Sequence, residues 1–186
     1  MNDKKECRNC KWRSDEIDSV PEHSYNKYCP MFEWKEEPVR DVLLSLNPQW
    51  FEPIMDGRKT FEVRKRAPLQ KHPYKVYLYC TKSGETIYRA GNKGKVKPYL
   101  MNGTVCGEFT CVSTTEYNPP WHGKTAGTCL TERELWDYMG GFYGKLYFMK
   151  IKDPIIYDKP KTLEDFGLKW VPQSWCYIGG KDNHED

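Results

Sequence analysis

A short basic stretch, residues 57–66, carries side chains that are well suited to binding or catalysis. If the chain runs as a strand from Thr60, alternate side chains point to opposite faces of a sheet. Phe61 and Val63 then enter a core. The polar side chains on the other face or at its mouth are Arg58, Lys59, Thr60, Glu62 and Arg64. Buried charges of both signs are costly unless they pair or bind a ligand, so this face is either a set of solvated ion pairs or a ligand site.

A second cluster of reactive side chains lies in residues 1–40. Cys7 and Cys10 have the CxxC spacing that lets two thiolates share one metal, and structural zinc takes four nitrogen or sulfur ligands. Cys29 and His23, the only nearby imidazole, complete a Cys3His set. The segment has few aliphatic residues, so zinc would also explain how it folds. A disordered tail and a redox-active cysteine pair are the alternatives. We expect structural zinc and no organic cofactor.

The composition favours a soluble cytoplasmic protein. The chain has 186 residues, of which 38% are hydrophobic and 15% aromatic. No apolar run approaches the roughly 18 residues that would span a bilayer, and the N-terminus lacks the apolar core of a signal peptide. Cysteines in such a chain argue against a disulfide framework. We expect Cys80, Cys106, Cys111, Cys129 and Cys176 to be buried free thiols.

Positive charge is concentrated in the middle of the chain. The net charge is +3, but residues 41–112 carry 12 basic and 6 acidic side chains. A long polar loop, residues 81–103, contributes five of these basic residues. This excess suits a face that binds anions or nucleic acid. Trp121 and Tyr79 could stack a base there, although core packing is the simpler interpretation for each.

The elements that must position these residues are short. Alternation and apolar runs predict strands at residues 41–46, 60–64, 74–80, 104–112, 145–151 and 175–178. Another extended piece is expected from Asp153, and Gly107 is expected to mark a bulge or a close backbone approach.

Capping signals place the helices. Asn47 and Pro48 predict the start of a short, bent helix that Gly57 ends. Thr131 opens a capping box for a second helix, and residues 162–166 suggest one helical turn. About six strands with two or three short helices predict an α+β fold built on a small mixed β-barrel.

The stretch from Gly57 to Arg64, GRKTFEVR, resembles the GxKxxExR signature of the ASCH domain, a relative of the PUA RNA-binding fold. The preceding strand and helix and the segment Val105–Phe109 fit the same family, and Pro172–Tyr177 is similar to its phage-type members. The resemblance covers residues 41–178. The predicted organisation is therefore a Cys-rich, zinc-knuckle-like extension (1–40), an ASCH/PUA-like domain (41–178) and a polar tail (179–186).

The resemblance implies a five- or six-stranded PUA-like barrel whose cleft binds RNA or a nucleotide-like ligand. The implied ligand-binding residues are Arg58, Lys59, Thr60, Glu62 and Arg64. No membrane contact is expected, whereas the N-terminal segment could dock a protein partner.

The resemblance also implies a hydrolytic alternative, either a modified-nucleoside amidohydrolase or a ribonuclease. Some members resemble amidohydrolases that act on acetylated cytidine through a lysine, a threonine and a glutamate. Lys59 matches the lysine and Glu108 the glutamate, but Glu62 stands at the threonine position. The nucleophile would then be Thr60 or a water molecule. The predicted catalytic set is Lys59, Glu62 and Glu108, with either glutamate as the general base.

Overall fold

The computed structural model of the protein describes residues 38–82, 88–89, 99–140 and 144–179. The predicted zinc ligands Cys7, Cys10, His23 and Cys29 lie outside the described residues, as does most of the basic loop between residues 81 and 103. The zinc site therefore stays a prediction from sequence.

Six strands of the described part of the chain form one mixed sheet. They are β1 (Val42–Leu46), β2 (Phe61–Arg64), β3 (Tyr74–Cys80), β6 (Thr104–Tyr117), β7 (Leu146–Lys161) and β8 (Trp175–Tyr177). Their order across the sheet is β2-β7-β6-β3-β1-β8. β1 pairs parallel with β3, and the other neighbours pair antiparallel. Two short strands, β4 (Tyr88–Arg89) and β5 (Tyr99–Leu100), pair separately. The curled mixed sheet with short helices confirms the predicted fold class.

The two longest strands carry the irregularities that curl the sheet. The β6–β7 register shifts three times, the first shift lying between Val105 and Gly107. Such bulges bend a strand and increase its twist. A Cβ on Gly107 would lie 2.4 Å from the carbonyl oxygen of Ile155, so the predicted close approach is confirmed. The extended piece expected from Asp153 is present, but it is one strand with the predicted 145–151 segment, because β7 runs through Asp153, which has a left-handed φ of 50°.

The predicted helix signals are confirmed. A 3-10 turn, Pro48–Trp50, is capped by the Asn47 side chain and continues into α1 (Phe51–Met55), with Gly57 at φ +80° just beyond its end. Thr131 forms the capping box of α2 (Glu132–Met139), which ends at Gly140. A second 3-10 turn, Glu164–Phe166, ends at Gly167. No helix in the described ranges has the length and apolar character needed to cross a membrane.

Apolar side chains pack on both faces of the sheet. The main cluster includes Leu44, Phe51 and Val76, and Tyr79 belongs to a smaller cluster. Trp121 is completely buried and Tyr79 is 2% exposed, so both are core residues and neither is available to stack a base.

The free cysteines follow the prediction with one exception. Cys80, Cys106 and Cys111 are buried, and Cys176 is half-buried. Cys129 is exposed, so its expected burial is wrong. It lies in the turn before α2 with a left-handed φ of 58°, outside the sheet whose packing buries the other thiols.

Candidate ligand-binding cleft

A cleft of about 300 Å³ opens where the end of β1 and the following 3-10 turn meet β2 and α2. Its lining side chains are Ser45, Leu46, Asn47, Trp50, Lys59, Glu62, Val63, Arg64, Leu130 and Tyr138. Three of the five polar residues predicted from the motif are therefore in one place.

Alternation along β2 directs two of them into the cleft. Phe61 and Val63 belong to an apolar cluster with Phe148, whose ring centroid lies 6.3 Å from that of Phe61. Because successive strand residues point to opposite faces, Glu62 and Arg64 face away from that cluster. The predicted facing of the strand is confirmed.

The three charged side chains form a continuous chain of contacts. Arg64 Nε donates to Glu62 Oε1 at 2.8 Å, and Arg64 Nη2 donates to the Ser45 carbonyl at 2.7 Å. Lys59 Nζ lies 3.5 Å from Glu62 Oε2 and donates to the Thr128 carbonyl at 2.7 Å. Lys59 and Glu62 are 3% and 4% exposed. One carboxylate between two cations leaves the cleft with a formal charge of +1.

Lys59 is held by its backbone as well as by its side chain. Its N–H donates to the Pro53 carbonyl at 2.7 Å. The N–H groups of Thr60 and Phe61 both donate to the Gly127 carbonyl, at 2.7 and 2.9 Å. The turn at residues 125–130 thus fixes the motif and also supplies the Thr128 carbonyl. Lys59 was expected at the mouth of the face, but this turn buries it.

Two aromatic residues line the same cleft. Lys59 Nζ lies 5.1 Å from the ring centroid of Trp50. Tyr138 is 39% exposed at the rim, and its partial burial raises the pKa of its phenol, which therefore stays protonated at neutral pH. Neither residue was singled out from sequence, because each reaches the cleft only when a helical segment docks against β2.

Two of the predicted ligand-binding residues do not line the cleft. Arg58 is exposed and pairs with Asp56 through a 2.7 Å contact. Thr60 is exposed, and its hydroxyl abuts Gly127 on the anchoring turn. The Ser45 hydroxyl does lie at the cleft, but it donates to the Pro172 carbonyl at 2.5 Å. Thr60 is therefore not placed to act as a nucleophile in the cleft.

Glu108 occupies a different part of the sheet. It lies on β6, which β7 separates from β2, and it is not among the lining residues. Its carboxylate accepts hydrogen bonds from Lys75 Nζ and the Tyr157 hydroxyl. Burial favours the neutral acid, but these two bonds prevail and hold the pKa of Glu108 below its ordinary value. The structure does not bring Glu108 to Lys59 as the predicted catalytic set requires.

No group of three or more histidine, cysteine or acidic side chains in the described part of the chain is arranged to hold a metal ion. The zinc ligands predicted in residues 1–40 fall outside that part, so this finding does not bear on them.

Comparison with known proteins identifies structural neighbours. No protein-family model and no curated protein matches the sequence. The chain is similar to the crystal structure of ASCH from Zymomonas mobilis, with a TM-score of 0.55 and 22% identity over 75% of this chain and 88% of that chain. A tyrosine-to-phenylalanine mutant of that protein gives a TM-score of 0.56 and 21% identity over 76% and 91% of the two chains. At this identity the likeness concerns the fold, and any function must be argued from the residues.

Proposed function

We propose that this chain, which has the ASCH fold, binds RNA or a nucleotide-like ligand in the cleft at Lys59, Glu62 and Arg64. The observation that carries the proposal is the convergence of these three side chains at one open cleft, with Lys59 and Glu62 almost fully buried. A volume of about 300 Å³ is at the lower end of the range for small-ligand sites.

The donors and acceptors in the cleft suit the polar edge of a base better than a simple anion. Within the described residues, the hydrogen bonds of Arg64 use Nε and Nη2, so Nη1 can donate to a ligand oxygen. The Glu62 carboxylate retains lone pairs that can accept from an exocyclic amino group. Nucleobases present both kinds of group on one edge, whereas inorganic phosphate presents acceptors.

The aromatic residues supply the other half of the recognition. Unpaired bases are commonly held by stacking on aromatic rings as well as by edge hydrogen bonds. Trp50 and Tyr138 line the cleft beside the charged residues. Trp50 and Tyr138 therefore stack the base, which the buried residues Trp121 and Tyr79 cannot do.

A hydrolase is the second candidate, favoured by the 3.5 Å contact between Lys59 Nζ and Glu62 Oε2. In this scheme Glu62 accepts a proton from a water molecule, and the water oxygen forms a bond to the amide carbonyl carbon or the phosphorus of the substrate. The bond from that atom to the leaving nitrogen or oxygen breaks as Lys59 donates a proton to the leaving group. The threonine hydroxyl of the resembling amidohydrolases has no counterpart at position 62. Binding is the first candidate, because this hydroxyl is missing and the second carboxylate of the predicted catalytic set, Glu108, does not line the cleft.

A panel experiment tests both functions. Full-length protein is titrated with labelled RNA hexamers of random sequence and, separately, with the common nucleosides and N4-acetylcytidine. Binding is followed by fluorescence anisotropy or ligand-detected NMR, and turnover by chromatography. We expect saturable binding of at least one probe. Turnover that Glu62→Gln abolishes while binding persists would establish the hydrolase, and no binding of any probe would contradict the proposal.

A further inference from the structure

A second concavity lies beside the cleft. This basic groove, of about 480 Å³, is lined by Lys65, Arg66, Lys145, Tyr147, Trp175 and Tyr177 together with Ala67 and Leu69. Three of its side chains are cationic and three are aromatic. Grooves that bind single-stranded nucleic acid combine these two side-chain types, since cations follow the phosphates and aromatic rings stack on the bases.

The cations of the groove differ in how far they are neutralised. Lys145 pairs with Glu116 at 2.9 Å. The side chains of Lys65 and Arg66 are exposed and form no ion pair with any residue in the described ranges. Two adjacent positive charges are therefore available to a phosphate.

The aromatic side is preorganised. Trp175 Nε1 donates to the Arg66 carbonyl at 2.9 Å, which holds the indole beside the two cations. The Tyr177 ring lies 5.3 Å from the Trp175 ring at an interplanar angle of 78°. The carbonyl that anchors Trp175 belongs to the backbone, so replacing the Arg66 side chain leaves this contact in place.

The groove and the cleft adjoin each other. Arg64 lines the cleft, and the next two residues along the chain line the groove. Arg64 also faces Tyr147, a groove residue, in the β2–β7 register. Lys65 Nζ lies 5.3 Å from the ring centroid of Tyr138, which lines the cleft. A ligand that leaves the cleft past Arg64 therefore meets Lys65 first.

We infer that the groove holds the nucleotides adjacent to the one in the cleft, so that the ligand is a single-stranded RNA segment and not an isolated nucleoside. This inference rests on the proposed function. Lys65 and Arg66 contact the phosphates that follow the bound nucleotide, and the groove aromatics stack the next base.

The test measures how affinity depends on ligand length. Wild-type protein, Lys65→Ala/Arg66→Ala and Lys59→Met are titrated with the nucleoside 5′-monophosphates and with RNA tetranucleotides of random sequence. The wild type should bind the tetranucleotides about tenfold more tightly than the monophosphates, because one stacked base contributes about that much. The double variant should lose this gain and keep its affinity for the monophosphates. Its salt slope should fall by about 1.4, the value for two single-strand phosphate contacts.

A matched double variant controls for the loss of charge. Lys159→Ala/Lys169→Ala also removes two exposed positive charges, but from residues outside both concavities. This control variant should keep the wild-type dependence of affinity on RNA length. Tetraglutamate, a peptide of similar charge, should not displace the tetranucleotides, and equal displacement by it would overturn the assignment to nucleic acid.

The outcomes separate the two proposals. Lys65→Ala/Arg66→Ala could keep the wild-type increase in affinity from monophosphates to tetranucleotides while Lys59→Met loses binding. In that case the groove inference is wrong and the proposed function stands. If Lys59→Met binds every probe as the wild type does, the proposed function is wrong and the groove inference fails with it.

Discussion

The Glu62 carboxylate connects the two cations of the cleft. Removing either cation would leave a buried carboxylate with one partner, and removing Glu62 would leave Lys59 with a carbonyl as its hydrogen-bond acceptor. Breaking a buried ion pair from one side is strongly destabilising, whereas replacing a whole network is often neutral. The network is therefore a structural unit, and its three side chains line the cleft.

Glu108 allows a test at the scale of a single residue. We predict that Glu108→Gln lowers the free energy of unfolding by about 1 kcal/mol at pH 7, since one partner, Lys75, is about half exposed and partly screened. RNA binding should stay at the wild-type level. Chemical denaturation and the panel titration measure the two quantities. A loss of ligand binding without a loss of stability would show that Glu108 belongs to the ligand-binding site.

The same residue predicts a dependence on pH. The pKa of Glu108 is lowered in the folded protein, so the unfolded chain binds its proton more readily. The stability contributed by Glu108 is then present above its ordinary pKa of 4.5 and is lost as the pH falls through the lower, folded value. The difference between wild type and Glu108→Gln should shrink on acidification below pH 4.5, and a difference that grows would contradict this assignment.

At the scale of elements, the anchoring turn at residues 125–130 sets the position of Lys59. Gly127 has φ +74°, and a Cβ there would lie 2.1 Å from Thr60 Oγ1. Gly123 has a similar φ of +70° but open space around its Cβ position. Both glycines have a left-handed backbone conformation, but only at Gly127 would an added Cβ clash with a neighbouring side chain.

We predict that Gly127→Ala is the more damaging of the two alanine substitutions. Each adds the cost of a left-handed alanine, about 1 kcal/mol, but only Gly127→Ala displaces the turn from Thr60, at a further cost of about 1–3 kcal/mol. Displacement also moves the Thr128 carbonyl, so ligand affinity should fall in Gly127→Ala and hold in Gly123→Ala. Equal stability and affinity in the two variants would show that the turn does not position Lys59.

Local signals explain which elements were predictable. Alternation about Glu62, the Asn47–Pro48 cap and the Thr131 capping box are set by neighbouring residues, and all three appear as expected. The continuity of β7 through Asp153 depends on pairing with β6, which is remote in sequence. The placement of Tyr138 in the cleft and of Glu108 outside it likewise depends on tertiary packing.

At the scale of the whole molecule, the motif resemblance correctly predicted the fold class of the described residues, and structural similarity to the Zymomonas mobilis protein supports it. The motif residues that the resemblance implied for the ligand do not all lie together. Of the five motif residues it implied for the ligand, Lys59, Glu62 and Arg64 line the cleft, whereas Arg58 and Thr60 do not. Charge and spacing can be read from the sequence, but tertiary packing decides which of the charged side chains line the cleft.

The N-terminal segment carries a separate prediction from sequence. We expect about one zinc ion per chain, bound by Cys7, Cys10, Cys29 and His23. Elemental analysis of purified protein measures this, and Cys7→Ser/Cys10→Ser should abolish it. Cys129→Ser, which removes an exposed thiol elsewhere, is the control and should keep the metal. Zinc retained by the double variant would exclude the CxxC pair as ligands.

The most direct test of the account is RNA affinity in two matched variants of the motif. Lys59→Met keeps the buried aliphatic stem and removes a positive charge from the cleft. Arg58→Met also removes one positive charge, but from an exposed residue outside the cleft that pairs with Asp56. Anisotropy titrations with the RNA pool, made after chemical denaturation has shown that both variants are folded, should show Lys59→Met weakened about 10- to 100-fold, as expected for lost charge-assisted hydrogen bonds, and Arg58→Met near the wild type. Equal affinity in both variants, or a loss confined to Arg58→Met, would contradict the assignment of the cleft.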